Sequence, residues 1–425
     1  VAVSLTAPKD DAEDVQRLGA LISQVTAGLP ANMPDVQLAL DVNRLRVGEV
    51  DGASLLMSGL FREDTLTLNT LELSALAGAS IRAQGTVGAI FDAPAGTLDA
   101  AIAIPNGAPL AVALRRLAPG SDLAQAIASR LPDLAPAELR VQLSGASDTS
   151  QEEALRVSLD GDLAGTALSL SASGSMLDAD WARRPLSLQL DAAHEDGHQL
   201  LAQLGLSPPS SGSEPAELSL FFEGLLADGA PIRAAIDVFG GKGSFDGVIK
   251  FDDGWSAAGP ARWDISSMAK LLPSLGLPDL TSGAMTGAAD LAIADGSIAV
   301  RGVRGTFDGV TYAGDFALDS ECVSGKLDLS ALSLPALAAP VRGLGEDDRF
   351  RRTDGWSPTP FPIATPLGID VAVNVRTPSI SLGEFTLRNA SFELEQTGSQ
   401  LGIANLAGEF AGGAVEGDLS ISRLG

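Results

Sequence analysis

Period-two alternation of apolar and polar residues runs through most of this chain, and it restricts what the chain can fold into more than any other feature. Val36-Leu38-Leu40-Val42, Leu66-Leu68, Leu186-Leu188-Leu190, Val371-Val373-Val375 and Ile380-Leu382 each place apolar side chains on one face of a strand. Polar or small residues take the other face. Turn pairs punctuate these runs at Asp160-Gly161, Asp246-Gly247, Asp253-Gly254, Asp295-Gly296, Asp308-Gly309 and Gly412-Gly413. Such pairs supply the positive φ angles of tight hairpins, so each is expected to be a turn. The chain therefore reads as mainly β, an elongated antiparallel repeat sheet forming a groove or a sandwich, with a few short α-helices.

The helical signals are short. Val15, Leu18, Leu21, Ile22 and Val25 form one stripe behind an acidic first turn, stopped by Gly28 and Pro30. A second helical stretch is expected over 109–131, interrupted around Pro119-Gly120. Leu200-Leu201-x-x-Leu204-Gly205-Leu206 recurs 71 residues later as Leu271-Leu272-x-x-Leu275-Gly276-Leu277, each copy followed closely by Pro. These read as small helices closing an end of the sheet.

A longer repeat has an offset of 103 residues. Leu291, Ile298, Val300, Val303, Gly305, Phe307, Gly309, Gly314, Phe316 and Leu318 align without a gap onto Leu394, Leu401, Ile403, Leu406, Gly408, Phe410, Gly412, Gly417, Leu419 and Ile421. The odd spacing from Val300 to Val303 requires a bulge if both are to share a face. A looser copy spans 66–87. Repeats of this kind extend one sheet by adding similar units. The chain divides into an N-terminal β-repeat segment with short helices (1–134), a middle one carrying both Leu-Leu-x-x-Leu-Gly-Leu helices (135–320), a linker (321–368) and a C-terminal β-repeat segment (369–425).

Composition removes several functions. A length of 425 residues with 45% hydrophobic content suits a large buried or semi-buried apolar surface rather than global disorder. The net charge of −26 makes the chain a poor partner for phosphate backbones, which excludes nucleic acid. The lone Cys322 excludes a disulfide framework and a multi-cysteine metal cluster. No run reaches the roughly 18–20 apolar residues of a membrane helix. The chain opens on a strand-like Val-Ala-Val-Ser-Leu, which reads as a piece of a longer protein whose anchor lies upstream.

His194-Glu195-Asp196-Gly197-His198 matches the zinc-protease pattern H-E-x-x-H by letter. That chemistry needs both imidazoles on one helical face, with the glutamate beside a zinc-bound water. The Asp-Gly pair inside it favours a strand-to-helix turn instead, and no third histidine exists. Gly240-Gly241-Lys242-Gly243 reads as a turn between strands, Cys322 as an inert thiol and Arg349-Phe350-Arg351-Arg352 as part of a solvated loop. No catalytic residue, metal ligand or cofactor is expected.

The region 356–421 resembles the C-terminal part of the AsmA family of bacterial envelope proteins, which includes the TamB-like proteins. The likeness lies in Trp356-Ser357-Pro358-Thr359-Pro360-Phe361, Ile369-Asp370-Val371-Ala372-Val373, Ile380-Ser381-Leu382-Gly383-Glu384-Phe385, Leu387-Arg388-Asn389-Ala390 and Gly408-Glu409-Phe410-Ala411-Gly412-Gly413. The helices and the strand blocks before them resemble the middle of such proteins. The resemblance implies a periplasmic, inner-membrane-anchored, non-enzymatic protein whose apolar β-groove handles phospholipid between inner and outer membrane. It implies acyl chains as partners, together with outer-membrane assembly or lipid-transport proteins. The groove-lining candidates are the aligned apolar positions Ile298, Val300, Val303, Phe307, Phe316, Leu401, Ile403, Leu406, Phe410 and Leu419. Three other readings stand beside this one. They are a scaffold regulating outer-membrane protein assembly without carrying lipid, a zinc hydrolase through His194, Glu195 and His198, and a closed sandwich whose apolar strand faces are ordinary core.

Overall fold

In the computed structural model the described residues are 35–47, 50–62, 65–88, 95–117, 122–145, 155–174, 181–205, 214–252, 254–274, 283–294, 296–319, 322–333, 370–382, 384–397 and 400–422. The expected first helix and residues 334–368 of the expected linker lie outside them, whereas residues 322–333 of that linker are corrected to strands paired into the sheet. The chain divides into two compact units, one built mainly from the residues up to 181 and the other mainly from those after 205.

The first unit is a meander of nine antiparallel strands. They are β1 (Val36–Val47), β2 (Val50–Arg62), β3 (Thr65–Leu76), β4 (Ala79–Gly88), β5 (Ala95–Ile104), β6 (Ala137–Gly145), β7 (Leu155–Leu163), β8 (Thr166–Gly174) and β9 (Leu186–His194). Each pairs with the next in sequence. Two helices, α1 (Gly107–Leu117) and α2 (Asp122–Arg130), connect β5 to β6. α2 falls inside the expected 109–131 stretch and α1 begins two residues before it, with Pro119-Gly120 in the sequence between them.

The second unit continues in the same manner. Its strands are β10 (Ala216–Gly224), β11 (Ala230–Val238), β12 (Gly241–Phe251), β13 (Trp255–Ile265), β14 (Met285–Ala294), β15 (Ser297–Phe307), β16 (Val310–Leu318), β17 (Cys322–Leu329), β18 (Leu332–Ser333), β19 (Asp370–Leu382), β20 (Phe385–Thr397), β21 (Gln400–Phe410) and β22 (Gly413–Ser422). Leu200-Leu201 lies in α3 (Gly197–Gln203) and Leu271-Leu272 in α4 (Met268–Ser274), while motif residues 206 and 275–277 lie outside the described residues. One step departs from the expected antiparallel series. β17 pairs with β19 in parallel, and β18 does the same. A parallel neighbour requires the chain to cross back before pairing, which no hairpin can do. The long stretch 334–369 supplies the needed length.

The repeat carries its bulge where the spacing demands. The β15–β16 register shifts between Val300 and Val303, and the β21–β22 register shifts between Ile403 and Leu406. The two sites share one device. The N–H of Gly302, at φ 59°, donates to Asp315 Oδ1 at 2.8 Å. The N–H of Asn405, at φ 54°, donates to Asp418 Oδ1 at 2.8 Å. The looser copy also shifts register, between Leu68 and Leu71.

Two expected turns are corrected. Asp160-Gly161 lies inside β7 and Asp246-Gly247 inside β12. In both, glycine is present because a side chain there would strike a neighbouring strand: a Cβ on Gly161 would meet the Glu138 carbonyl, and one on Gly247 would meet the Ala258 carbonyl of the following strand. Asp308-Gly309 does turn the chain, with φ of 46° and 80°. The Gly412-Gly413 turn is displaced by one residue to Ala411-Gly412, and Gly413 already begins β22. The equivalent pairs Ala77-Gly78, Ala164-Gly165 and Phe239-Gly240 make the same two-residue turn, both residues at positive φ.

Candidate functional site: an apolar sheet face

Strand register converts the period-two pattern into surfaces. In the first unit, Leu40, Met57, Leu71, Ala83, Ala100, Val141, Leu159, Leu170 and Leu190 stand side by side across nine strands. The rows on either side, through Leu98-Leu143-Val157 and Ile102-Leu139-Gly161, are likewise apolar or glycine. The opposite face carries Thr97, Asp99, Gln142, Ser144, Arg156, Ser158 and Ser171. It includes cross-strand ion pairs such as Arg82–Glu72, which are exposed and contribute little.

The second unit repeats the arrangement. One row runs Leu291, Val300, Phe316, Gly325, Val373, Leu394, Ile403 and Leu419, unbroken from β14 to β22. Register places Ile298, Val303, Phe307, Leu401, Leu406 and Phe410 on this same face. All ten candidate residues thus lie on one side of one unit. Their exposure differs. Val303 is buried beside Ala289 and Tyr312, with Val300, Phe307 and Phe316 half-buried around it. Ile403 and Leu406 are half-buried against the Val373–Val375–Ile380–Phe392 cluster. Phe410 and Leu419 are 40% and 57% exposed, and Phe410 pairs with the exposed ring of Phe385 at 6.0 Å.

In the first unit no second layer among the described residues seals this face. Leu139, Val141, Leu143, Val157, Leu159, Leu168 and Leu170 form the middle of the first unit's face, and every one is only half-buried. In a closed sandwich the middle of the inner face is its driest part. Burial is concentrated instead along one edge, at the strand ends marked by Ala79, Ile104, Ala137 and Thr166. There Leu110 of α1 packs on the sheet, and Gln203 accepts from the Thr166 hydroxyl at 2.6 Å while donating to the Leu163 carbonyl at 2.9 Å. The second unit has the same edge. Ala216, Val238, Phe239, Leu200 and Leu201 are buried, and the His198 ring lies 4.4 Å from that of Phe239.

Glycines on the apolar face show that it curves inward. A Cβ on Gly305 would run into the Thr286 carbonyl, one on Gly314 into the Lys326 carbonyl and one on Gly85 into the Thr97 carbonyl. In a flat sheet the Cβ atoms of facing residues stand about 4.5–5.5 Å apart. Neighbouring backbone leaning over this side at each position means that the strands coil towards the apolar face and make it concave locally.

One polar pair lies in this face. Trp263 and Tyr312 flank Gly287 and Gly305, where an added Cβ would stand 2.5 Å from Tyr312 Oη. Trp263 Nε1 donates to Tyr312 Oη at 3.0 Å, and the hydroxyl donates to the Thr286 carbonyl at 2.9 Å. Burial pushes the Tyr312 phenol above its usual pKa, opposed by the hydrogen bond from Trp263. Both polar tips are satisfied internally, so the pair presents only ring surface to the trough.

The other candidates organise differently. His194 ends β9 while His198 lies in α3, so the motif is a strand-to-helix turn and the imidazoles do not share a helical face. Asp196 caps that helix, accepting from the His198 N–H at 3.0 Å, and its carboxylate also lies 3.2 Å from His198 Nδ1. Among the described residues no three His, Cys, Asp or Glu side chains gather as a metal site. Cys322 opens β17, half-buried, its N–H donating to Asp319 Oδ1. The Gly240–Gly243 segment is a turn followed by the first residues of β12. The polar face of the first unit carries two shallow hollows of about 540 and 480 Å³, lined by residues such as Ser158 and Arg156, and Arg82 and Asp160.

No family model, curated protein or solved structure matches this chain.

Proposed function

We propose that the protein is a non-enzymatic lipid carrier of AsmA type, which conducts phospholipid acyl chains along the apolar trough between the inner and outer membranes of a diderm envelope. The observation that carries this reading is the unbroken row from Leu291 to Leu419, apolar or glycine throughout, buried at Val373, half-buried along most of its length and exposed at Leu419, with no covering layer among the described residues. Apolar area left open to water is unfavourable by about 25 cal/mol per Å², so a face this continuous is stabilised by an apolar occupant. The resemblance of 356–421 supports the envelope setting. Few aromatics and many glycines leave few bulky side chains on the trough, which suits mobile chains. The net charge of −26 gives no clamp for anionic headgroups, so contact is with tails.

The test is transfer of a fluorescent phospholipid from donor to acceptor vesicles. The wild-type protein accelerates transfer, and Leu170→Asp, which places a charge in the middle of the first unit's trough, suppresses it while far-UV circular dichroism stays unchanged. Equal transfer by both proteins, or none by the wild type, contradicts a conduit. Absence of transfer together with capture of envelope proteins would favour the scaffold.

A further inference from the structure

We infer that the first unit docks on an anionic bilayer surface through the two helices that connect β5 to β6 and the turn that ends α3. This surface is separate from the trough, and its role does not rest on lipid lying there.

Each of these three elements exposes one large aliphatic side chain beside an arginine. α1 and α2 pack on each other through Ala111, Ala128 and Leu131, while Leu110 of α1 reaches the strand-end cluster. The residues of α1 left exposed are Ala108, Pro109, Val112, Arg115 and Arg116. At about 100° per residue these share an arc of about 120°, with Val112 near its middle. On α2, Ile127 and Arg130 stand exposed one turn apart. The Arg130 guanidinium lies where a Cβ on Gly205 would stand, so it adjoins the turn that carries Leu204 in the same unit. Val112, Ile127 and Leu204 are 45%, 44% and 47% exposed.

The local charge runs against that of the chain. Residues 107–134 carry Arg115, Arg116 and Arg130 against Asp122 and Asp133, whereas the whole chain holds 54 acidic to 28 basic side chains. At physiological salt a charge is screened over about 8 Å, so the acidic remainder does not cancel this patch. Arg115 donates to the Ala128 carbonyl at 3.3 Å, which leaves further guanidinium donors for a phosphate. Arginines in the last turn of a helix also complement its dipole, but that role asks for no exposed aliphatic residue beside them. A protein partner would meet a continuous apolar centre with a polar rim. Here the aliphatic residues sit on separate elements and alternate with arginines. That is the pattern of helices lying in a bilayer interface, where apolar side chains sink among acyl chains and guanidinium groups reach phosphates. An anionic lipid surface complements this edge in both respects.

The experiment is co-sedimentation of the full chain with vesicles of phosphatidylcholine alone, or of phosphatidylcholine mixed equally with phosphatidylglycerol. The wild type should bind the mixed vesicles and bind the neutral ones roughly tenfold more weakly, as expected when several arginines lose an anionic surface. Binding should fall in about 1 M salt, where the screening length is about 3 Å. Arg116→Glu and Val112→Asp/Ile127→Asp should each weaken binding roughly tenfold, with far-UV circular dichroism unchanged. Should the double aspartate variant fail to fold, Val112→Ser/Ile127→Ser tests the same anchors. Leu170→Asp, which alters the trough, should sediment as the wild type does. No sedimentation of the wild type, equal binding to neutral and anionic vesicles, or full binding by the helix variants overturns the docking surface. Loss of binding in Leu170→Asp alone assigns the vesicle contact to the trough and overturns it equally.

Discussion

Trp263 Nε1 donates to Tyr312 Oη across two intervening strands, 3.0 Å apart, over a floor made by Gly287 and Gly305. The pair fixes the only tyrosine of the chain inside an otherwise apolar face. Tyr312→Phe removes the acceptor of a half-buried indole N–H, and the expected loss is about 1–3 kcal/mol in urea unfolding followed by tryptophan emission. The pH dependence follows from the raised phenol pKa, caused first by burial. Folding favours the neutral phenol, so this stabilisation is complete below the unfolded-state value of about 10 and is lost as pH rises through the higher folded-state value. The tyrosinate absorbance of the native protein should therefore appear above that of the urea-unfolded chain. Coincident titrations would contradict the burial.

The two bulges make a matched pair of predictions. Asp315→Ala leaves the Gly302 N–H without its acceptor, and Asp418→Ala does the same to Asn405. Amide exchange at Gly302 and Asn405 should accelerate by roughly tenfold in the respective variants. Each effect should remain confined to its own hairpin. Hydrogen exchange read by mass spectrometry on peptides spanning β15 and β21 separates the two.

Glycines that floor the trough should resist enlargement. Gly161→Val puts a branched side chain where the Glu138 carbonyl already stands, and Gly314→Val does so against Lys326. A loss of about 1–3 kcal/mol or more is expected for each, as for other overpacked sites. The control is Gly417→Val, where a Cβ would meet nothing within 4 Å. Thermal unfolding that treats all three alike would argue against inward curvature.

Much of this fold was legible in the residues, and the gaps have physical causes. Alternation gave the strands, and the odd spacing from Val300 to Val303 gave the bulge, because side-chain direction in a strand has a fixed period. Turns were harder. Ala77-Gly78, Ala164-Gly165 and Phe239-Gly240 lack the Asn or Asp that advertises positive φ at the first position, so their letters do not mark them as turns. Asp160-Gly161 and Asp246-Gly247 advertise a turn where glycine instead serves close strand approach. The letters are the same for both uses, and only the neighbouring strand distinguishes them. The parallel step from β17 to β19 left no trace in the pattern, because pairing direction does not alter which residues alternate. Of the trough, the ten aligned positions were readable as one face. What alternation could not reveal was whether a second layer covers that face, nor that Trp263 and Tyr312 meet across it.

The central claim is that an uncovered apolar face holds lipid tails. It is tested most directly by native mass spectrometry of the purified protein, with extracted lipid quantified per chain. The account predicts bound phospholipid on the wild type. It predicts a clear reduction in Phe410→Asp, whose ring is exposed and whose fold should persist, and in Phe307→Asp to the extent that this half-buried site tolerates the change. A wild-type protein free of lipid after purification from a membrane-containing source, or a Phe410→Asp protein carrying an undiminished load, would contradict it.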